Sequence, residues 1–234
     1  AGAQLAAVRY DPVTRSFAVL PVKKLDGGNE YRIRSFYPGQ FAVAALAPKT
    51  FEDLDGHWAK DGIERIAVLG VLNGMGKGKF EPDQPVTRAQ FTAMLVRALG
   101  LRLPLAPAPV FPDVAPGDWF APAVQAAAAA GLVNGDDKGR FRPNDVVTRE
   151  QMAAMIARAM ELIDPAAGAA SGKRAAFSDA SEISPWAAGS VAAVAGKGIM
   201  NGMPDGSFAP SSPATRAQAG IVLLRMLRAL ELMD

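Results

Sequence analysis

All three tryptophans of this 234-residue chain stand at the same point of one spacing pattern. Gly70, Asn73-Gly74, Phe80, Pro82 and Thr87-Arg88 follow Trp58 by 12, 15, 22, 24 and 29 residues. The same offsets from Trp119 reach Gly131, Asn134-Gly135, Phe141, Pro143 and Thr148-Arg149. From Trp186 they reach Gly198, Asn201-Gly202, Phe208, Pro210 and Thr215-Arg216. A Phe-x-Asp precedes each tryptophan, as Phe51/Asp53, Phe111/Asp113 and Phe177/Asp179. Uncommon residues in phase three times define a triplicated module.

Each module reads as helix, Gly-rich loop, helix. Ile63, Ile66, Ala67 and Leu69 recur near helical spacing, and Gly70, Gly131 and Gly198 sit where a helix would close on a left-handed residue. Asn-Gly marks a turn, with Gly78, Gly139 and Gly206 four residues on. Thr-Arg-x-Gln then carries the signature of a capping box. The helix it opens is expected to be amphipathic, through Phe91, Met94, Leu95 and Ala98, then Met152, Met155, Ile156 and Ala159, then Ile221, Leu224 and Leu227. A module of about 50 residues buries too little apolar surface alone, so three should share one body. The divisions expected are 1–50, 51–103, 111–164 and 177–234, with a stiff Pro-rich linker at 101–110 and a flexible one at 165–176.

The first 50 residues break the pattern. RSFAVLPV, EYRIRSF and QFAVAAL read as strands separated by turn-like DPVT, LDGG and YPGQ, three or four antiparallel strands in all. So short a sheet exposes edges, and the expectation is the end of a larger β domain, docked on the helices or paired with another chain. The chain opens without an initiator Met and is expected to be a processed product or a fragment. A net charge of +2 with scattered basic residues gives no nucleic-acid surface, and no apolar run is long enough to span a membrane. No Cys and one His, His57, leave no thiol chemistry and argue against a His-rich metal site or a Ser-His-Asp triad. Asp136-Asp137 and Asp205 lack the alternating oxygen ligands of a dedicated calcium loop, so no metal or cofactor is expected.

The three modules, FEDLDGHWAKDGIERIAVLGVLNGMGKGKFEPDQPVTRAQF, FPDVAPGDWFAPAVQAAAAAGLVNGDDKGRFRPNDVVTREQM and FSDASEISPWAAGSVAAVAGKGIMNGMPDGSFAPSSPATRAQA, resemble S-layer homology domains from residue 51 to about 230. The resemblance implies a mainly α fold: three helix-loop-helix repeats forming a pseudo-threefold spindle around a central helix bundle, here preceded by a short antiparallel β segment. It implies a non-catalytic, secreted protein at the bacterial cell surface. Such a protein is held to the wall or S-layer by an acidic secondary polysaccharide, a pyruvylated N-acetylmannosamine-type glycan, bound in grooves between repeats. One departure is Gln90, Gln151 and Gln218 where the family commonly has Glu. Another is the loops: GKGKF and DKGRF are basic and PDGSF acidic, which ranks the third groove weakest for an anion.

Arg88, Arg149 and Arg216 raise an electrostatic question, because a cation in a helix's first turn opposes the dipole. One answer is that helix N-terminal amides and a guanidinium together receive the glycan carboxylate. The other is that each Arg pairs with Asp53, Asp113 or Asp179 and holds modules together. Trp58, Trp119 and Trp186 either pack the core or line a groove beneath a sugar. Gly74, Gly135 and Gly202 either serve turn geometry or bare their amides to sugar oxygens. The alternative to an anchor is a self-assembly or protein–protein module in a surface lattice, using the β segment. An enzyme is the weakest class, since the three Phe-x-Asp carboxylates lie on separate modules without acid partners.

Overall fold

The computed structural model describes residues 3–26, 30–166 and 177–234. Six helices follow a small antiparallel sheet: α1 (Lys60–Val68), α2 (Arg88–Ala98), α3 (Ala121–Ala129), α4 (Arg149–Ile163), α5 (Ala188–Gly196) and α6 (Arg216–Ala229). The pairing of first and second helix in each repeat follows the sequence pattern. Thr87, Thr148 and Thr215 each accept from the amide three residues on, while Gln90, Gln151 and Gln218 return the bond, so all three capping boxes are complete. Gly70, Gly131 and Gly198 end α1, α3 and the segment after α5 at φ of 71°, 72° and 66°.

The second helices are not amphipathic, contrary to the pattern. In α2, Thr92, Ala93 and Val96 are buried as well as Phe91, Met94 and Leu95. The reason is that second helices have neighbours on several sides: α2 touches α3 and α6, α4 touches α5 and α6, and α6 also touches α1. An element enclosed this way becomes apolar nearly all round. First helices pack on the preceding repeat's second helix, α3 on α2 and α5 on α4, and α1 completes the series against α6.

Just ahead of the second helices the three repeats join in a ring. The Val86 amide donates to the Ala214 carbonyl at 2.9 Å, Ala214 to Val147 at 2.9 Å, and Val147 to Val86 at 3.0 Å. Repeat 3 thereby closes on repeat 1.

The N-terminal sheet has the order β2-β1-β5, from β1 (Gln4–Asp11), β2 (Ser16–Leu20) and β5 (Gln40–Leu46), with a separate hairpin of β3 (Lys23–Lys24) and β4 (Tyr31–Arg32). The central strand, β1, escaped the sequence reading, because QLAAVRYD lacks a run of β-branched residues and its alternation is blunted by alanines. The sheet docks on the helical body: Ala6, Val19, Phe36 and Leu46 join the main apolar cluster. Leu20 packs so closely on Gly100, just past α2, that a Cβ there would lie 2.1 Å from its Cδ2. Segment 101–110 has no regular element, as its prolines require, and of the expected 165–176 linker all but residues 165–166 lies outside the described residues. Among the described residues no helix is long and apolar enough to cross a membrane.

Candidate functional site

The site is built from a kink. In Phe-x-Pro the middle residue adopts the left-handed region in every copy, Glu81 at φ 59°, Arg142 at 57° and Ala209 at 54°. A non-glycine there costs about 1–3 kcal/mol and persists only when its surroundings fix it. The Phe-x-Asp carboxylate does the fixing. Asp53 accepts from the Phe80 and Glu81 amides at 2.8 and 2.7 Å. Asp113 holds Phe141 and Arg142 at 2.8 and 2.7 Å, and Asp179 holds Phe208 and Ala209, both at 2.7 Å. Burial alone would raise the Asp53 carboxyl, but the Phe80 and Glu81 amides outweigh it and hold it below the usual range. Asp53, Asp113 and Asp179 are therefore loop clamps within their own repeat. The alternative in which they pair with Arg88, Arg149 and Arg216 is not the arrangement formed, because both oxygens are directed at backbone amides.

The arginines reach instead into the next repeat around the ring. Arg216 donates from Nε to the Phe80 carbonyl and from Nη2 to the Asn73 carbonyl, both at 2.9 Å. Arg149 does the same to Phe208 at 2.7 Å and Asn201 at 3.0 Å. Among the described residues Arg88 reaches only Asn134, at 2.7 Å, and its buried Nε has no partner there. Each guanidinium also lies over a phenylalanine ring, 4.6 Å from Phe80 for Arg216, 4.9 Å from Phe208 for Arg149 and 5.1 Å from Phe141 for Arg88. Burial lowers all three arginines from their usual value, yet a guanidinium stays charged.

The helix openings are filled, which corrects the expectation of vacant amides. The Arg88 and Ala89 amides donate to Asp145 and Pro143 carbonyls, each at 2.9 Å. Arg149 and Glu150 donate to Ser212 and Pro210, and Arg216 and Ala217 to Gln84 and Pro82. With the third amide taken by the cap threonine, no donor remains for an anion along the helix axis. The repeated arginine thus offsets its unfavourable dipole by gripping a neighbour's carbonyls.

The tryptophans are not core residues. Trp58, Trp119 and Trp186 are 66%, 62% and 58% exposed. Trp119 forms one wall of a concavity of about 360 Å³. Asn73, Gly74 and Met75 of the first loop form another, α2 supplies the floor through Ala93 and Met94, and Arg216 closes one end. Of the expected residues, Gly74, Trp119 and Arg216 come together here, one from each repeat. Gly74 owes its identity to the loop folding back, since a Cβ would meet the Lys79 carbonyl at 2.7 Å and the Phe51 ring at 3.0 Å. Gly135 and Gly202 are equally close-packed. The Arg88–Asn134 and Arg149–Asn201 bonds put Arg88 beside Gly135 at the second loop and Arg149 beside Gly202 at the third, and α5 and α1, which follow Trp186 and Trp58, pack on α4 and α6 as α3 does on α2.

Arg97 was missed by the sequence reading. It lines the same concavity, its guanidinium makes no ion pair among the described residues, and burial lowers it from its usual value. The signal was present: Arg158 and Arg225 stand at the same offset in the other repeats. His57 is a helix-start residue, its Nδ1 accepting from the Ala59 amide at 3.1 Å. No cluster of three or more His, Cys, Asp or Glu side chains suited to a metal occurs among the described residues.

Cyclic exchange of carbonyl contacts among three repeats, each with its own cap and clamp, defines one repeat-built body. The S-layer homology domain family model matches residues 50–92, 110–153 and 176–219, and the chain belongs to that family. It is 38% identical over 224 residues to an amylopullulanase of Thermoanaerobacterium thermosulfurigenes, which covers 96% of this chain and 12% of that protein. It is 42% identical over 182 residues to the exoglucanase XynX of Acetivibrio thermocellus, 76% of this chain and 16% of that protein. With the S-layer protein sap of Bacillus anthracis it shares 34% identity over 125 residues, 53% of this chain and 15% of that protein. The chain thus spans under a fifth of each of these relatives, and the matches to proteins named as enzymes cover only a small part of their length. Family and relatives together support association with the cell surface.

Proposed function

We propose that this chain is a non-catalytic anchor that holds a surface protein to the bacterial cell envelope by binding an acidic cell-wall glycan, of the pyruvylated N-acetylmannosamine type, between its repeats. The three repeats form a three-pronged spindle with their second helices at the centre. The observation that carries this reading is the concavity where Trp119, Gly74 and Arg216, from three different repeats, meet beside Arg97. An exposed indole offers a flat apolar face to a pyranose, and the outer edges of two arginines offer charge to a carboxylate. Arg88 with Trp186 and Gly135, and Arg149 with Trp58 and Gly202, stand in the same order in the other two grooves. Asp53, Asp113 and Asp179 act by shaping the loops. The test is calorimetric titration with a pyruvylated N-acetylmannosamine methyl glycoside and its unpyruvylated counterpart. At least tenfold preference for the acid is expected, and equal binding or none overturns the reading.

One observation favours a second role beside the first. Strand β5 is the sheet's outer strand, and Phe41 and Val43 on it are both 44% exposed. Self-association through this edge predicts a concentration-dependent mass by light scattering that Val43→Lys abolishes; a monomer at all concentrations removes it.

A further inference from the structure

The three grooves share one plan but not one surface. Three of the positions that differ can be followed from the sequence into the structure. Position 75 in the first loop is Met; its equivalents are Asp136 and Met203. Position 93 on the floor is Ala; its equivalents are Ala154 and Ile221. Position 62, in the first turn of the first helix, is Gly; its equivalents are Ala123 and Ser190.

In the third groove the floor is raised. Ile221 on α6 puts a branched four-carbon side chain where Ala93 leaves a methyl, and it fills the space beside α1. A Cβ added at Gly62 would lie 2.4 Å from Ile221 Cδ1 and 3.1 Å from Leu224 Cδ2. Ile221 therefore stands against the first turn of α1, which follows Trp58 in the chain, where the first groove has only the methyl of Ala93. The Gly62–Ile221 pair is a matched exchange of size: the small residue has moved from the groove floor to the facing helix.

In the second groove the obstacle is charge. Asp136 replaces a methionine at the mouth and is fixed there. Its Oδ1 accepts from the Lys138 and Arg140 amides, both at 2.9 Å, and its Oδ2 from Arg142 Nε at 2.5 Å. The Arg140 amide and the Arg142 guanidinium hold its carboxyl down to about 2. It is therefore ionised at any physiological pH, and it is one of the charges that act on Arg88. An anionic ligand would meet a fixed negative charge there, although Arg158 stands near Arg88 as Arg97 does in the first groove.

Only the first groove combines a small floor residue with a loop that carries no acid. Its loop carries Lys77 and Lys79 and no acid between Asn73 and Phe80. We infer that this chain binds its acidic glycan through the first groove alone, with Ile221 and Asp136 closing the third and second grooves to it. This rests on the anchoring proposed above and adds stoichiometry and selectivity to it. It departs from the ranking by loop charge in setting the second groove beside the third, which that ranking already put last.

The exposed tryptophans allow a test that spares the fold, unlike the buried arginines. Titration of the full chain with the pyruvylated N-acetylmannosamine methyl glycoside is expected to give one site per chain. Trp119→Ala should weaken binding at least tenfold, whereas Trp58→Ala and Trp186→Ala should leave it within twofold. The double variant Ile221→Ala, Asp136→Asn should raise the stoichiometry above one, with unfolding by circular dichroism confirming that it is folded. Two or three sites in the unaltered chain, or an equal loss in Trp58→Ala or Trp186→Ala, overturns the single-groove inference while leaving the anchor in place. Absence of binding to any groove overturns the anchor reading, and this one with it.

Discussion

The helical body and the N-terminal sheet are held by opposite means. In the body, every junction between repeats uses the same few contacts: a capped helix start, two amides on a neighbour's carbonyls, and an arginine on one or two more. The contacts close into a ring, so no repeat can leave without breaking two junctions. The sheet is attached by a cluster that occurs once. Arg9, 2% exposed, donates to Ser35 Oγ at 2.8 Å and the Gly100 carbonyl at 3.3 Å. Arg102 Nε donates to Asp11 at 2.7 Å, and the Tyr37 ring lies between the two guanidiniums at 5.1 and 4.6 Å. A repeated design spreads its load, whereas a single buried polar cluster concentrates it.

Breaking that cluster should give the largest effect and a local one. Arg9→Ala removes a buried charge from its partners and opens a cavity, at about 3–5 kcal/mol. Hydrogen exchange should show residues 4–46 losing protection while the helices keep theirs; equal loss in both would show the sheet and body to be one cooperative unit.

Within the body, Arg216→Ala strands the Asn73 and Phe80 carbonyls and should cost about 3 kcal/mol, read as a lower melting temperature for the whole body. Arg88→Ala, with a single carbonyl partner, should cost about 1 kcal/mol. Equal losses would mean that the ring does not distinguish its junctions. Lysine at position 216 should not rescue, because one ammonium cannot span two carbonyls and a ring.

Asp53→Asn should follow, at about 2 kcal/mol near neutral pH, as one acceptor oxygen becomes a donor facing an amide. The Asp53 carboxyl is lower in the folded than in the unfolded chain. Its contribution is therefore complete above the unfolded value of about 3.9 and is lost as pH falls through the folded value. Acid titration of the two proteins should converge in that window, and a constant gap to lower pH would count against the clamp. The smallest effect expected is Thr87→Ala, about 1 kcal/mol from one cap, measured by denaturant midpoint.

Much of the body was legible because its determinants are local. A cap threonine and the glutamine three residues on meet within one helical turn, and a terminal glycine closes the turn before it. The Asp clamp was visible only as a recurring residue, because its amide partners lie 27 and 28 residues away. Trp58 could be read as core or as groove lining, and its exposure just ahead of α1 is something spacing alone cannot reveal. Strand β1 was missed because its place at the sheet's centre comes from partners on both sides rather than from its own alanines. Arg97 went unnoticed because a cation within a helix is ordinary until a concavity forms beside it.

By itself, the order of residues determined that there are three modules, where their helices begin and end, and which types recur at each turn. Those are matters of hydrogen bonds and dihedral angles inside a few consecutive residues. Only the tertiary structure decided where Arg88, Arg149 and Arg216 point, since the carbonyls they bind at Asn134, Asn201 and Asn73 lie 46, 52 and 143 residues away. It also decided which groove is open. The difference between Ala93 and Ile221 gains its meaning from the helix that faces each of them, and a charge such as Asp136 gains its own from the arginine it is folded beside.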